Sequence, residues 1–187
     1  FPLVTGATGF FGIHLVKELI DSQNEKVLCL MRDQNSTKLM ERLVWYFGQE
    51  EAARIFDSVI IVNGDIADKK LGMSDEQYEK IAALTKEIYH SAADVRHYAE
   101  DEDLYMKTNV DGTKNMLELA DKAGAAFYHM STLSVSGNGM KNGYQAIDFT
   151  ENDYDIGQVW ENNIYVKSKF LAEGLVFNAL KQGLDAK

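Results

Sequence analysis

Two pairs of side chains in the C-terminal third have the types and spacing needed for acid–base chemistry on a carbonyl group. Tyr165 and Lys169 are four positions apart, so a helix places both on one face. A phenol has a pKa of about 10, and a nearby ammonium favours the phenolate and brings that pKa toward neutrality. Ser131 and Thr132 follow an apolar run and offer a hydroxyl donor for a substrate oxygen. Because Tyr-x-x-x-Lys is common on helices, the pair indicates chemistry only beside other motifs.

A glycine-rich turn near the N terminus has the layout of a pyrophosphate site. Gly6, Gly9 and Gly12 follow a short apolar run and open an amphipathic segment. A strand, a glycine loop and a helix in this order direct free N–H groups and the helix dipole at a phosphate. Glycines also serve ordinary strand–helix turns, which leaves a purely structural role open. The context favours dinucleotide binding.

These residues need a scaffold, and apolar runs of strand length alternate with helical patterns along the chain. The strands are predicted as the apolar run before Gly6 and residues 26–31, 59–62, 87–90 and 126–130, and the helices as the amphipathic segment after Gly12 and residues 38–47, 75–84, 104–123 and 164–181. Such alternation predicts parallel βαβ units, in an α/β fold with a Rossmann-type doubly wound sheet of order 3-2-1-4-5. Residues 137–163 are the least patterned, and a long loop of this kind is often functional.

Composition excludes several classes of protein. The net charge is −10, which argues against a nucleic-acid surface, and no apolar run could span a bilayer. Cys29 lies in an apolar run and is predicted to be a buried, inert thiol, consistent with a cytoplasmic protein. His90 is predicted to pack in a strand, because no second metal ligand has a useful spacing. We expect no metal site. The chain begins at Phe1, so a trimmed or partial sequence is expected.

The end of the second predicted strand bears on the choice of nucleotide. NAD-binding folds place an acid there, whereas this strand ends in Met31 and Arg32. Arg32 and Arg42 could hold a 2′-phosphate, which favours NADPH over NADH. The alternative is that both arginines are solvated and that Asp33 takes the acid's place.

Two further strand ends could contact the nucleotide. Asp65, followed by Ile66, could accept from the adenine amino group or could simply form a turn. Ser91, Ala92 and Ala93 are small enough to let a ligand approach the backbone.

Taken in order, these motifs resemble the extended short-chain dehydrogenase/reductases. The resemblance is carried by the glycine spacing, Asp65-Ile66, the stretch 109–113, Ser131-Thr132 and Tyr165 with Lys169. Within that superfamily the chain most resembles the thioester reductase domains that end nonribosomal peptide synthetases, which are related to carboxylic acid and fatty acyl-CoA reductases. More specific similarity lies in residues 29–32, 41–43, 64–66, 71–74, 88–93, 130–135 and 168–173. One mild departure is Ser91-Ala92, where family members usually carry Asn-Gly or Ala-Gly.

The resemblance implies a reaction. NADPH would deliver hydride to an acyl or peptidyl thioester held by a phosphopantetheinyl carrier domain, and an aldehyde, or after further reduction an alcohol, would leave. Thr132 would hydrogen-bond the carbonyl oxygen and Tyr165 would donate a proton. Lys169 would lower the pKa of Tyr165 and hold the nicotinamide ribose. Asn109 would serve a proton relay or a purely structural role.

The resemblance also implies which residues contact the cofactor and where the domain ends. Besides Lys169, the residues implied in cofactor binding are Thr5, Gly6, Thr8, Gly9, Phe10, Gly12, Arg32, Arg42, Asp65, Ile66, Ser91, Ala92 and Ala93. Residues 1–187 would form the NADP-binding Rossmann part of a larger reductase, and a sixth strand and a substrate domain would follow. We therefore expect the fifth strand to be a sheet edge, and the chain to bind cofactor without turnover.

Two other functions remain open. The first is an NAD(P)-dependent reductase or epimerase acting on a nucleotide sugar or another small carbonyl compound, against which Arg32 and Arg42 argue. The second is a non-catalytic NADP-binding module, against which the complete set of Thr132, Tyr165 and Lys169 argues.

Overall fold

A five-stranded parallel sheet forms the centre of the molecule. In a computed structural model, which describes residues 1–32, 36–96, 102–137, 139–140, 148–160 and 163–187, the strand order is β3-β2-β1-β4-β5. The strands are β1 (Pro2–Thr5), β2 (Val27–Met31), β3 (Val59–Asn63), β4 (Glu87–His90) and β5 (Ala126–His129). The predicted fold class and strand order are confirmed.

Helices cover both faces of the sheet. They are α1 (Phe10–Gln23), α2 (Ser36–Phe47), α3 (Gln49–Asp57), α4 (Asp75–Leu84), α5 (Glu102–Tyr105), α6 (Gly112–Ala123) and α7 (Ile164–Lys181), with a π-helical turn over Met106–Asp111. Successive strand residues point to opposite faces, so Leu3 and Leu28 join one apolar core, whereas Val4 and Cys29 join the other. All five residues of β2 are buried, as expected for a strand packed on both sides.

The helical pattern departs from the sequence prediction in two places. Helix α3 was not predicted; its surface is charged, and Ala52 and Ile55 are its buried residues. The helix predicted over 104–123 is interrupted by the π-helical turn, beside which Tyr105 is fully buried. The helices predicted over 75–84 and 164–181 are confirmed at the same bounds.

The outer edge of β5 is partly paired. The N–H groups of Phe127 and His129 donate to the carbonyls of Asp185 and Lys187, and Lys187 N–H donates to Phe127. Ala186 forms a parallel bridge with Phe127. β5 is the edge strand of the sheet, as predicted, and the residues after α7 return to pair with part of its outer side.

The described part of the irregular region packs on helix α7. Two short strands, β6 (Gly139–Met140) and β7 (Gln158–Val159), pair antiparallel. The Tyr154 ring stacks on Phe170 with centroids 4.4 Å apart. A Cβ added to Gly174 would lie 2.2 Å from the Tyr154 hydroxyl, so this glycine makes room for the ring.

Two further sequence expectations concern membranes and metals. Over the described ranges, no helix has the length and apolar character needed to cross a bilayer. The same residues contain no group of three or more His, Cys, Asp or Glu side chains placed to hold a metal ion.

The buried thiol of Cys29 generates a first prediction. Burial raises the pKa of Cys29 to about 12 and leaves the side chain with no exposed surface. Because the thiolate is the reactive species, we expect negligible reaction with an aromatic disulfide reagent at pH 8 in the native chain. Complete reaction should follow in concentrated guanidinium chloride, which serves as the control. Stoichiometric labelling of the native chain would contradict the prediction.

Candidate functional site

A cavity of about 560 Å³ opens at the carboxyl ends of β1, β2 and β4. In an open α/β sheet this edge is where ligands bind, and chain order reverses between β1 and β4. The predicted residues that line the cavity are Thr5, Gly6, Thr8, Gly9, Phe10, Gly12, Arg32, Asp65, Ile66, Ser91, Ala92 and Ala93. The structure thus brings together predicted cofactor-binding residues from four segments of the chain, whereas the predicted Arg42 and Lys169 are not part of this lining.

The glycine loop is shaped by backbone contacts that leave no space for side chains. Gly6 has φ of +73°, and a Cβ there would lie 2.9 Å from the Ala92 nitrogen. A Cβ on Gly12 would lie 2.2 Å from the Gly6 carbonyl oxygen. The Gly9 N–H donates to the same carbonyl at 2.9 Å. The loop therefore forms a narrow cradle directly before α1, which fits a pyrophosphate at the helix N-terminus.

A buried hydrogen-bond chain through His90 fixes the start of this loop. The Thr113 hydroxyl donates to the Asn109 carbonyl (2.7 Å) and so accepts from His90 Nε2 (3.1 Å). His90 Nδ1 then accepts from the Thr5 hydroxyl at 2.8 Å. Burial, with a smaller contribution from Lys169, lowers the pKa of His90 to about 3, which keeps the ring neutral. The prediction that His90 is a packed strand residue agrees with these contacts.

Small residues after β4 complete the cradle. The Ser91 hydroxyl donates to the Thr5 carbonyl at 2.7 Å, and the Ala92 N–H donates to Thr5 Oγ1 at 3.1 Å. Ser91 thus does more than leave space, because its hydroxyl ties β4 to the glycine loop.

The basic residues near the end of β2 differ in what they contact. Arg32 is exposed and lines the cavity, together with Lys38 from the first turn of α2. Arg42 instead donates from Nε to the Thr8 carbonyl at 3.1 Å and lies over the Tyr46 ring. In this arrangement Arg42 supports the glycine loop. Asp33, the alternative acidic residue, lies outside the described residues.

Lys38 was not predicted as a site residue, because in the sequence it only begins a helix. Its position in the sequence could have indicated the site. Lys38 is four residues before Arg42 on α2, so it lies one helical turn nearer the end of β2.

Asp65 forms a turn. Its Oδ1 accepts from the Ala67 N–H at 2.9 Å, which supports the turn interpretation, while the residue also borders the cavity. Ile66 beside it is buried and lies against Gly112, so close that a Cβ on this glycine would be 2.9 Å from Ile66 Cδ1.

Thr132 and Tyr165 meet at the end of β5. Burial raises the pKa of Tyr165, and a smaller effect of the nearby Thr132 hydroxyl lowers it. Thr132 Oγ1 also accepts from the Ser134 N–H at 3.3 Å. The two hydroxyls predicted to handle a carbonyl oxygen are therefore adjacent.

Lys169, one turn after Tyr165 on α7, is almost wholly buried. Its Nζ donates to the Met130 carbonyl at 2.6 Å and lies 3.3 Å from His129 Nε2. Burial lowers the pKa of Lys169 to about 8, although the negative charge of Glu173 acts to raise it. His129 is kept neutral, because burial and the Lys169 charge lower its pKa well below the usual range. The predicted effect of Lys169 on the pKa of Tyr165 stays a prediction.

Asn109 holds three parts of the chain together. Its Nδ2 donates to the Asp94 carbonyl (3.0 Å) and to Ser168 Oγ (2.8 Å), and its Oδ1 accepts from the Asp94 N–H (2.7 Å). These contacts support the structural alternative for Asn109, since they join the segment after β4 to α7.

Comparison with known proteins places this site in a family. The family model described as male sterility protein, an NAD-binding domain, matches residues 4–187. The chain belongs to this family. It is 30% identical over 191 residues to the nonribosomal peptide synthetase asaC of Aspergillus flavus, covering 98% of the chain and 18% of that protein. It is 29% identical to a linear gramicidin synthase protein of Brevibacillus parabrevis, covering 97% of the chain and 4% of that protein.

Similar solved structures indicate which group within the family the chain resembles. The terminal reductase domain of the myxalamid pathway superposes with a TM-score of 0.86 at 29% identity, over 99% of this chain and 46% of that one. A thiolation-reductase di-domain from an archaeal nonribosomal peptide synthetase gives 0.84 at 31% identity, over 100% and 39%. The predicted resemblance to thioester reductase domains of the extended short-chain dehydrogenase/reductases is confirmed.

The comparisons also show how much of its relatives the chain covers and which likenesses concern the fold alone. The chain spans less than half of either solved reductase chain. A dTDP-glucose 4,6-dehydratase from Bacillus anthracis, solved with NAD, gives a TM-score of 0.66 at 22% identity, which shows a shared fold alone. Membership of an NAD-binding family supports a nicotinamide dinucleotide as the cofactor.

The cradle geometry makes a testable prediction for Gly12→Ala. Because the new Cβ would meet the Gly6 carbonyl, the loop must shift, and we expect affinity for the reduced dinucleotide to fall roughly ten-fold or more. Fluorescence titration measures the affinity and thermal denaturation the stability.

Gly124→Ala is the matched control. Its φ is +61° with open space around the Cβ, so it should lose about 1 kcal/mol of stability and no affinity. Unchanged dinucleotide affinity in Gly12→Ala would contradict the proposed cradle.

Proposed function

We propose that the chain is the cofactor-binding part of an NADPH-dependent reductase that releases a carrier-bound acyl or peptidyl thioester as an aldehyde. The observation that carries this proposal is the contact of Lys169, one turn after Tyr165 on α7, with the Met130 carbonyl, two residues before Thr132. This contact brings the two hydroxyls and the ammonium to the carboxyl end of β5, in the sheet whose β1 leads into the glycine cradle. That arrangement supplies a hydroxyl pair for one carbonyl oxygen at the sheet edge where the hydride donor would bind.

The dinucleotide, when bound, supplies a hydride for the carbonyl carbon of the thioester. The residues of this chain then act on the oxygen. Thr132 donates a hydrogen bond to the oxygen as negative charge develops on it, and Tyr165 transfers its proton to give a hemithioacetal. Breaking the carbon–sulfur bond releases the aldehyde and returns the thiol.

Lys169 supplies the positive charge in this site. With a pKa of about 8, its side-chain amine is mostly protonated at neutral pH. An ammonium near the phenol favours the phenolate that remains after proton transfer. Its second proposed contact is with the nicotinamide ribose.

The preference for NADPH rests on the charges around the end of β2. Arg32 and Lys38 border the cavity, and Met31 offers no carboxylate for a ribose hydroxyl. Asp65 and Ile66 border the adenine side in this proposal. Arg42 contributes indirectly, by fixing Thr8.

The proposed partner is a carrier domain with a phosphopantetheine arm. The matched relatives include peptide synthetases, and one solved relative joins a thiolation domain to its reductase. A nucleotide-sugar substrate is not favoured, because those enzymes share only the fold at 22% identity. A non-catalytic module is not favoured either, since Thr132 and Tyr165 form the pair that a proton donor needs.

The nucleotide preference is tested by Arg32→Ala. Loss of a charged hydrogen bond to the 2′-phosphate should weaken NADPH binding roughly ten-fold or more and leave NADH binding nearly unchanged. Isothermal titration with both nucleotides measures the effect. Arg54→Ala is the control, because Arg54 pairs with Glu51 and Asp21 on the surface. An equal loss for NADPH and NADH would contradict the assignment.

The reaction is tested by Tyr165→Phe in the full-length reductase. Removing the proton donor should lower aldehyde formation from a carrier-bound thioester by roughly 10² or more, with NADPH affinity retained. Tyr128→Phe, at a partly buried ring stacked on Tyr89, is the control and should keep full activity. Wild-type rates in Tyr165→Phe would exclude the mechanism. In the same assay, we expect residues 1–187 alone to bind NADPH without turnover.

A further inference from the structure

The segment leading from β5 to Thr132 is fastened to helix α7 at two consecutive residues. Lys169 donates to the Met130 carbonyl at 2.6 Å, and the Ser131 hydroxyl donates to the Glu173 carboxylate. Lys169 and Glu173 are one helical turn apart, so the same face of α7 makes both contacts. Tyr165 lies one turn before Lys169 on this helix. Helix α7 therefore both carries Tyr165 and holds the two residues that precede Thr132.

Within the described part of the chain, the sheet and the turn after Thr132 also hold this segment. The Met130 N–H donates to the His90 carbonyl at 3.0 Å, which continues the sheet by one residue. Directly after Thr132, Leu133 is 86% exposed, whereas Val135 is buried and its carbonyl accepts from Gln158 and Trp160. The Ser131–Glu173 hydrogen bond adds a fixed point immediately before Thr132.

Glu173 also sets the charge balance around Lys169. Among the described residues, the titratable groups that interact with the ammonium are His129 from β5, His90 from β4 and Glu173 from α7. Burial and the ammonium keep both imidazoles neutral. Glu173 supplies a negative charge that raises the pKa of Lys169 against the effect of burial.

We propose that Glu173 is a positioning residue of the reductase, which fixes Thr132 against Tyr165 by binding Ser131. The inference rests on the proposed function, because Glu173 would act on the reaction by way of Thr132 and Lys169. Glu173 acts through its neighbours and is given no contact with the substrate.

Two variants of the full-length reductase separate the two effects of Glu173. Glu173→Gln keeps an oxygen that can accept from Ser131 and removes the charge. Ser131→Ala removes the hydrogen bond and keeps the charge. Glu118→Gln, which makes the same change on the exposed side of α6, is the matched control.

Three measurements follow: kcat and KM against pH, NADPH affinity, and hydrogen exchange of the backbone amides from 131 to 136. The wild-type rate should fall as pH rises through about 8, because Lys169 loses its proton. In Glu173→Gln this alkaline limb should move to lower pH by roughly half a unit or more. In Ser131→Ala kcat should fall roughly ten-fold with KM little changed, exchange should quicken and the pH profile should stay in place.

The possible outcomes test the two proposals separately. If Tyr165→Phe is inactive while Ser131→Ala keeps wild-type kcat and exchange, the positioning role of Glu173 is wrong and the reaction stands. If Glu173→Gln keeps the wild-type pH profile, its charge does not act on Lys169. If Tyr165→Phe is fully active, the proposed reaction fails, and exchange alone then decides whether Glu173 fixes the segment. Thermal denaturation excludes unfolding as the cause of any loss.

Discussion

The hydrogen bond between the Thr5 hydroxyl and His90 Nδ1 joins the two strands between which the chain order reverses, and the rest of the site is arranged around it. Thr5 is the last residue of β1 and precedes the first glycine of the cradle, while His90 ends β4. Because the imidazole is buried and neutral, it can serve both a hydroxyl donor and a hydroxyl acceptor without a charge to solvate. The same ring reaches Thr113, so the chain of contacts continues to α6.

Much of the fold could be predicted from the sequence because its strands are short, apolar and separated by patterned helices. The glycines of the cradle could also be picked out from the sequence, since their spacing is a local property of the chain. Helix α3 was missed because its charged residues hide two buried apolar positions, Ala52 and Ile55. The π-helical turn was missed because it changes hydrogen bonding without changing the helical pattern.

Parts of the candidate site could not be predicted, because they depend on contacts between distant segments. Arg42 and Lys38 lie on one helix, and only the tertiary structure shows that Arg42 supports Thr8 while Lys38 borders the cavity. Lys169 was predicted from its spacing to Tyr165, whereas its partners Met130 and His129 come from a distant part of the chain. A buried ammonium is tolerated because a carbonyl accepts from it and the nearby imidazoles stay uncharged.

Gly174, in the middle of α7, shows how a weak point in a helix can hold a distant segment in place. Glycine costs a helix interior about 1 kcal/mol relative to alanine, so its presence needs a compensating contact. The Tyr154 ring supplies one, because it occupies the space that a side chain at Gly174 would fill and stacks on Phe170. The Tyr154 ring fits the space left by the missing side chain of Gly174, so a larger residue at position 174 would need a smaller one at position 154. The helix that bears Tyr165 and Lys169 is thus packed against Tyr154, so a displacement of this part of the irregular segment would also displace the helix that carries the proposed proton donor.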